Sequence, residues 1–193
     1  MIREVDTSKY RDNIKITGLY INSTIESMSA VSPVFKKKMS NILSENGIED
    51  VQTDDWYPAR PFFKAVQEIA SKAGDGTTFE IGRSMGQDVP LPDDVSSPHD
   101  MLSQYDTLHY DSYRNVDAQS GRSIGGYTYE RIDATTCRMG VTEDFPYHTG
   151  IAQGSTEGLT STITNGVVRG KEVETQPTDA QKNPERRAFR LSW

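Results

Sequence analysis

The hydrophobic period changes partway along the chain. Up to about residue 113 apolar residues recur mainly at three- and four-residue steps, and beyond about residue 124 they alternate. The first spacing buries one stripe of a helix and the second one face of a strand, so the two halves cannot exchange roles. Segregated helices and strands imply an α+β domain, its helical N-terminal half packed on a largely antiparallel sheet. At 193 residues one core can bury roughly 70% of the unfolded surface, so a single domain spanning 1–193 is expected.

Residues 1–13 are polar and read as a loose lead-in. Lys15-Ile16-Thr17-Gly18-Leu19-Tyr20-Ile21 is β-branched and aromatic and reads as a strand, running on towards Ile25. Ser32-Pro33 caps and opens a helix carrying Phe35, Met39, Ile42 and Leu43, which Gly47 ends. A second helix starts near Pro61, buries Phe62, Phe63, Val66, Ile69 and Ala70, and stops at Gly74. Phe79-Glu80-Ile81-Gly82 starts a short helix, and Pro90, Pro92, Asp93 and Asp94 mark a loop. A long helix is expected over 97–113, with Met101, Leu102, Tyr105 and Leu108 as its stripe. Strands follow at 124–129, 136–141, 167–173 and 187–193, with a helix capped by Thr149 reaching Thr164. Residues 176–184 read as a polar loop. Phe189, Leu191 and Trp193 point inward, so the domain is expected to close there.

Charge and composition narrow the function. Lys and Arg number 21 against 28 Asp and Glu, a net of −7, which argues against nucleic acid and anionic lipid as partners. No apolar run approaches the ~20 residues of a membrane span, and no leader is visible, so the cytoplasm is the expected location. With 2 Trp, 9 Tyr and 6 Phe the chain is too aromatic to be disordered. Cys137, the single cysteine, excludes an internal disulfide and a multi-cysteine zinc site. Cys137 could meet His148 as a Cys–His pair, yet it stands in the apolar column of a strand, as a structural cysteine does. His99 and His109, on one expected helix, lie about 15 Å apart along its axis, too far to share a metal. Phosphate-binding, dinucleotide-binding, serine-hydrolase and kinase motifs are absent. Gly150, Gly154 and Gly158 make a bare helical stripe, expected to lie close against a sheet.

Several segments carry a family resemblance. Asp144-Phe-Pro-Tyr147-His-Thr-Gly150-Ile, followed by Gly158-Leu159, resembles the "Pro-Tyr-Pro-Cys…Gly-Ile…Gly-Leu" stretch of 4-vinyl-reductase-like domains. Leu19-Tyr20-Ile21, Glu45-Asn-Gly47-Ile48 and Phe79-Glu-Ile81-Gly82-Arg83 resemble the N-terminal layout of the same superfamily. That superfamily includes the haem-nitric-oxide/oxygen-binding (H-NOX) sensors and Golgi-transport tethering subunits. The resemblance implies a small-molecule-binding sensor or adaptor in signalling. Tyr110-Asp-Ser112-Tyr-Arg114 resembles the Tyr-x-Ser-x-Arg motif that holds haem propionates in H-NOX domains. A guanidinium and two hydroxyls suit a carboxylate, so Tyr110, Ser112, Arg114 and the adjacent His109 are the expected ligand-binding residues.

The chain departs from the pattern in two places. His148 and Thr149 stand where the family has Pro-Cys, and residues 77–83 hold no counterpart of the proximal His. Haem is therefore not the expected ligand, and the cofactor is left unassigned, as are catalytic and metal residues. The ligand would be apolar or carry an anionic group, with Trp56, Tyr57, Phe62 and Phe63 as candidate walls. Its signal would pass to a partner protein or across a homodimer. The alternatives are an enzyme using His109, Asp111 and Arg114, and a non-binding scaffold or assembly subunit.

Overall fold

The structure is a computed structural model in which residues 6–93, 95–116, 124–176 and 184–193 are described. Residues 1–5 of the expected lead-in, and 177–183 of the expected polar loop, lie outside them. After a 3-10 turn at Thr7–Lys9 come β1 (Lys15–Thr17), α1 (Gly18–Val31), α2 (Pro33–Glu45), β2 (Trp56–Pro58), α3 (Ala59–Ala73) and α4 (Asp75–Gln87). Then follow α5 (Pro98–Leu102), α6 (Tyr105–Asp111), β3 (Tyr113–Arg114), β4 (Tyr127–Arg131), β5 (Thr136–Thr142), α7 (Thr149–Thr164), β6 (Arg169–Val173) and β7 (Glu185–Ser192). The architecture is α+β. A small antiparallel sheet, β2-β1-β3, sits among the helices, and an antiparallel β4-β5-β7-β6 sheet forms the second half.

The lead-in is anchored rather than loose where it is described. Tyr10 is buried, and its hydroxyl donates to the Asp144 carbonyl at 3.0 Å. The expected strand 15–21 stops at Thr17. There the Thr17 hydroxyl accepts from the Tyr20 N–H at 3.2 Å, capping α1, and the chain continues as a helix that buries Ile21, Thr24 and Met28. Only glycine fits at residue 18, because a Cβ would lie 1.8 Å from the Gln52 carbonyl oxygen.

The expected single helix over 97–113 is two short ones. Ser97 and Asp100 form a capping box at the start of α5. The Ser103 hydroxyl and the Gln104 amide then both donate to the Asp100 carbonyl, at 3.0 and 3.1 Å. Side chains competing for that carbonyl break the helix, and the restart shifts its phase. Tyr105 and His109 now form the buried stripe, while Leu108, expected inside, is exposed. His99 is buried as well. Its Nδ1 meets the Tyr129 hydroxyl and its Nε2 the Asp133 carbonyl, both at 2.8 Å, tying α5 to the β4–β5 turn.

The glycine stripe of α7 meets a helix, not a sheet. α7 runs parallel to α4 in the most extensive element-to-element contact of the fold. A Cβ at Gly154 would lie 2.1 Å from the Phe79 oxygen, and one at Gly158 2.2 Å from the Arg83 oxygen. The approach is reciprocal. A Cβ at Gly82 would lie 2.2 Å from the Ile151 oxygen and one at Gly86 1.9 Å from the Ser155 oxygen. Both helices therefore present bare backbone to each other.

β7 runs between β5 and β6, with Phe189 and Leu191 fully buried. Trp193 is half-buried, its ring 4.7 Å from His99 in an edge contact. On the other face of the sheet Arg138 and Glu185 form a buried ion pair, with Nη1 donating to Oε1 at 2.8 Å. Glu185 also accepts from the Gln176 N–H at 2.8 Å, which fixes the chain as it leaves β6. Among the described residues no helix is long and apolar enough to cross a membrane.

The helix contact yields a paired test. Gly154→Ala should destabilise the fold by about 1–3 kcal/mol, the usual range for overpacking. Gly76→Ala, where nothing lies within 4 Å in α4, should instead stabilise it by about 0.5–1 kcal/mol. Urea denaturation of both variants measures the difference.

Candidate functional site

The N-terminal turns of α1 bring Thr17, Leu19, Tyr20 and Ser23 onto one side of a cavity of about 280 Å³. Met85, Asp88, Val89 and Pro90, at and just beyond the C-terminal end of α4, face them. Tyr105 of α6, Ser112 beyond it, Tyr127 of β4, and Ile151 and Ser155 of α7 complete the lining. Ile151 and Ser155 are four residues apart and so share one face of α7. Tyr105, Tyr127, Ile151 and Ser155 are buried and form the deep end. Leu19, Asp88 and Pro90 are exposed and form the mouth.

The wall is apolar with hydroxyl tips. The Ser155 hydroxyl donates to the Ala152 carbonyl at 3.0 Å and interacts with the Tyr105 and Tyr127 phenols. Behind Tyr20 lies a second aromatic layer. The Tyr20 ring stacks on Tyr147 with centroids 6.0 Å apart, and the Tyr113 and Tyr147 hydroxyls are hydrogen-bonded to each other. Burial pushes Tyr105 up to about 12 and raises Tyr20, Tyr113, Tyr127 and Tyr147 well above the ordinary phenol. All five stay protonated near neutral pH, so they present hydrogen-bonding groups and no charge.

The residues singled out from the sequence part company here. Ser112 lines the cavity, its hydroxyl donating to the Leu108 carbonyl at 3.3 Å. Arg114 is exposed, its guanidinium 3.9 Å above the Trp56 ring. Tyr110 is half-buried, with its ring centroid 5.5 Å from that of His109. His109 is buried outside the cavity lining, with Tyr113 at 5.1 Å, Phe145 at 5.2 Å and Tyr127 at 5.6 Å between ring centroids. Burial lowers the His109 pKa to about 3, keeping it neutral, and its Nε2 has no hydrogen-bond partner among the described residues. Asp111 is exposed, and no hydrogen bond or ion pair joins it to His109 or Arg114.

The expected aromatic walls lie elsewhere. Phe62 and Phe63 are core, Trp56 lies under Arg114, and the Tyr57 hydroxyl accepts from the Gln52 N–H at 2.8 Å. Cys137 is buried in β5, and burial pushes its thiol up to about 12. Among the described residues no three His, Cys, Asp or Glu side chains gather as a metal site would need. Sequence reasoning missed Tyr20, Tyr105, Tyr127, Met85 and Ser155 as cavity residues. One signal was available for Ser155: it is a hydroxyl residue flanked by Gly154 and Gly158, on a helix whose glycines demand close packing.

No protein-family model matches the chain, and no characterised protein matches it in sequence. Solved structures do match it in shape. An H-NOX structure used to probe haem distortion in that family superposes with a TM-score of 0.60 at 16% identity, over 92% of this chain and 95% of that one. An oxygen-binding H-NOX domain related to soluble guanylate cyclases, in its oxygen complex, gives 0.59 at 15% identity over 92% and 94%. An Fe(II) unliganded H-NOX mutant from K. algicida gives 0.58 at 11% identity over 92% and 96%. The chain therefore has an H-NOX-like fold.

Arg114→Ala should cost about 0.5–1 kcal/mol, the range of an exposed cation–π contact, and should alter tryptophan emission through Trp56. Urea denaturation followed by fluorescence checks both.

Proposed function

We propose that the chain is a small-molecule-binding sensor or adaptor domain whose site is the tyrosine-walled cavity and whose ligand is not haem. The observation that carries the reading is the cavity itself, about 280 Å³ of apolar wall with converging hydroxyls. A scaffold subunit would close that space with side chains. An enzyme would need an activated nucleophile or an acid/base pair in it, and its lining offers protonated phenols, ordinary hydroxyls and a lone carboxylate, Asp88, at the mouth. The H-NOX-like fold supports a sensor, since domains of that shape include an oxygen binder. The bound state would then be read by a partner protein or a second copy of the chain.

The residues present do not fit haem. No His or Cys lines the cavity, and burial keeps its phenols from becoming phenolate ligands. The orphan Nε2 of His109 is boxed in by Phe145, Tyr113 and Tyr127, so an iron could reach it only by displacing those rings. Met85 is the one lining thioether among the described residues, and methionine ordinarily ligates haem beside a histidine.

Native mass spectrometry of the purified protein should reveal a retained molecule with a mass suited to the cavity. Ser155→Leu and Ser23→Leu, which fill the space from opposite walls, should each lose it while remaining folded. A wild-type protein that retains nothing, with both variants more stable than it, would mark the cavity as a packing defect and end the proposal. Haem titration should give no sharp Soret band, and a tight one-to-one band would overturn the exclusion of haem.

A further inference from the structure

Resting on the reading of the cavity as a ligand site, we infer that its occupant is an aryl-alkyl amine, which enters ring first and leaves its ammonium group at Asp88. Charge is the first reason. Among the described residues Asp88 is the single carboxylate in the lining, and no Lys, Arg or His shares the wall with it. Asp88 forms no ion pair among the described residues, so its carboxylate is available. A carboxylate ligand would meet this group with no cation to offset the repulsion.

Position is the second reason. Asp88 caps the C-terminal end of α4 and is exposed, so it stands at the mouth rather than in the depth of the cavity. The C-terminal carbonyls of a helix carry partial negative charge and favour a cation there. Deeper in, Tyr105, Tyr127 and Ile151 are buried and uncharged, an environment for a ring and not for an ion.

Volume is the third. A cavity of roughly 150 Å³ admits benzene, and this one is about 280 Å³. The match is a fused bicycle, or one ring with a short chain, of about ten to fourteen non-hydrogen atoms.

Three indoles of nearly equal size separate the terms: tryptamine with an ammonium, tryptophol with a hydroxyl and indole-3-acetate with a carboxylate. Calorimetric titration at low salt should rank tryptamine first, tryptophol second and indole-3-acetate last. Asp88→Asn should weaken tryptamine about two- to fivefold, as expected for an exposed ion pair, and leave tryptophol unchanged. About 1 M salt should have the same effect on the wild-type protein. If tryptophol binds but tryptamine binds no better, or indole-3-acetate binds as tightly, the amine assignment fails and the cavity reading stands. If none of the three binds, the amine assignment fails, while the cavity reading is decided separately by the retained molecule in native mass spectrometry and its loss in the Leu variants.

Discussion

The close approach of α4 and α7 sets the geometry of everything around it. Four glycines, two on each helix, let carbonyl oxygens of one backbone reach the Cα of the other. Any side chain at those positions would separate the axes. Parallel helices gain nothing from their dipoles, so the pairing rests on dispersion at short range and on Cα–H···O contacts between bare backbones. The pairing also brings Met85 of α4 beside Ile151 and Ser155 of α7 on the rim of the contact, where they form one wall of the cavity. His148 fastens the N-terminal end: its Nδ1 accepts from the Gly150 N–H at 3.1 Å, and its Nε2 lies 3.4 Å from an Asp75 oxygen at the start of α4.

Around this axis the interior is aromatic and hydroxylic rather than purely aliphatic. Tyr20, Tyr113 and Tyr147 stack edge and face, and their hydroxyls satisfy one another instead of reaching solvent. Such a layer is rigid, since each ring has few rotamers and each polar tip a partner. It is also neutral, because burial holds every phenol in its protonated form. The one ion pair buried among the described residues, Arg138 with Glu185, lies on the four-stranded sheet away from the cavity lining, where it fastens the chain between β6 and β7. Charge is thus used for fastening at the sheet and kept out of the cavity, except at its mouth.

Much of this fold was legible in the sequence because local signals and tertiary packing agree. Ser32-Pro33 opens α2 and Gly47 ends it at a φ of 78°. The alternation over 136–141 and 187–193 marks two strands that pair with each other. Legibility failed where a distant partner decided. Gly18-Leu19-Tyr20-Ile21 has strand composition, but the Thr17 cap and the nearby Thr53 and Asp55 carbonyls turn it into a helix. The break after Leu102 arises from two side chains competing for one carbonyl, which no hydrophobic period reveals. The partner of the glycine stripe is not legible in the sequence, because bare backbone suits a sheet and a second glycine-bearing helix equally well.

The fate of Tyr110, Ser112 and Arg114 follows from the same phase argument. Residues spaced by two share a face only on a strand. Here the motif straddles a change of period. Tyr110 lies in α6, Ser112 is its C-cap and Arg114 belongs to β3, paired with Lys15. On the helical side, residues two apart point nearly 200° from each other. Tyr110 accordingly lies beside His109 and Ser112 turns to the cavity. One step into the strand, Tyr113 takes the inward direction and Arg114 the outward one, onto Trp56. An unbroken strand from 110 to 114 would have gathered a phenol, a hydroxyl and a guanidinium on one face, a setting for a carboxylate. The helix end at Asp111 disperses them, and with no guanidinium among the described lining residues the electrostatic preference at the cavity mouth is left to Asp88.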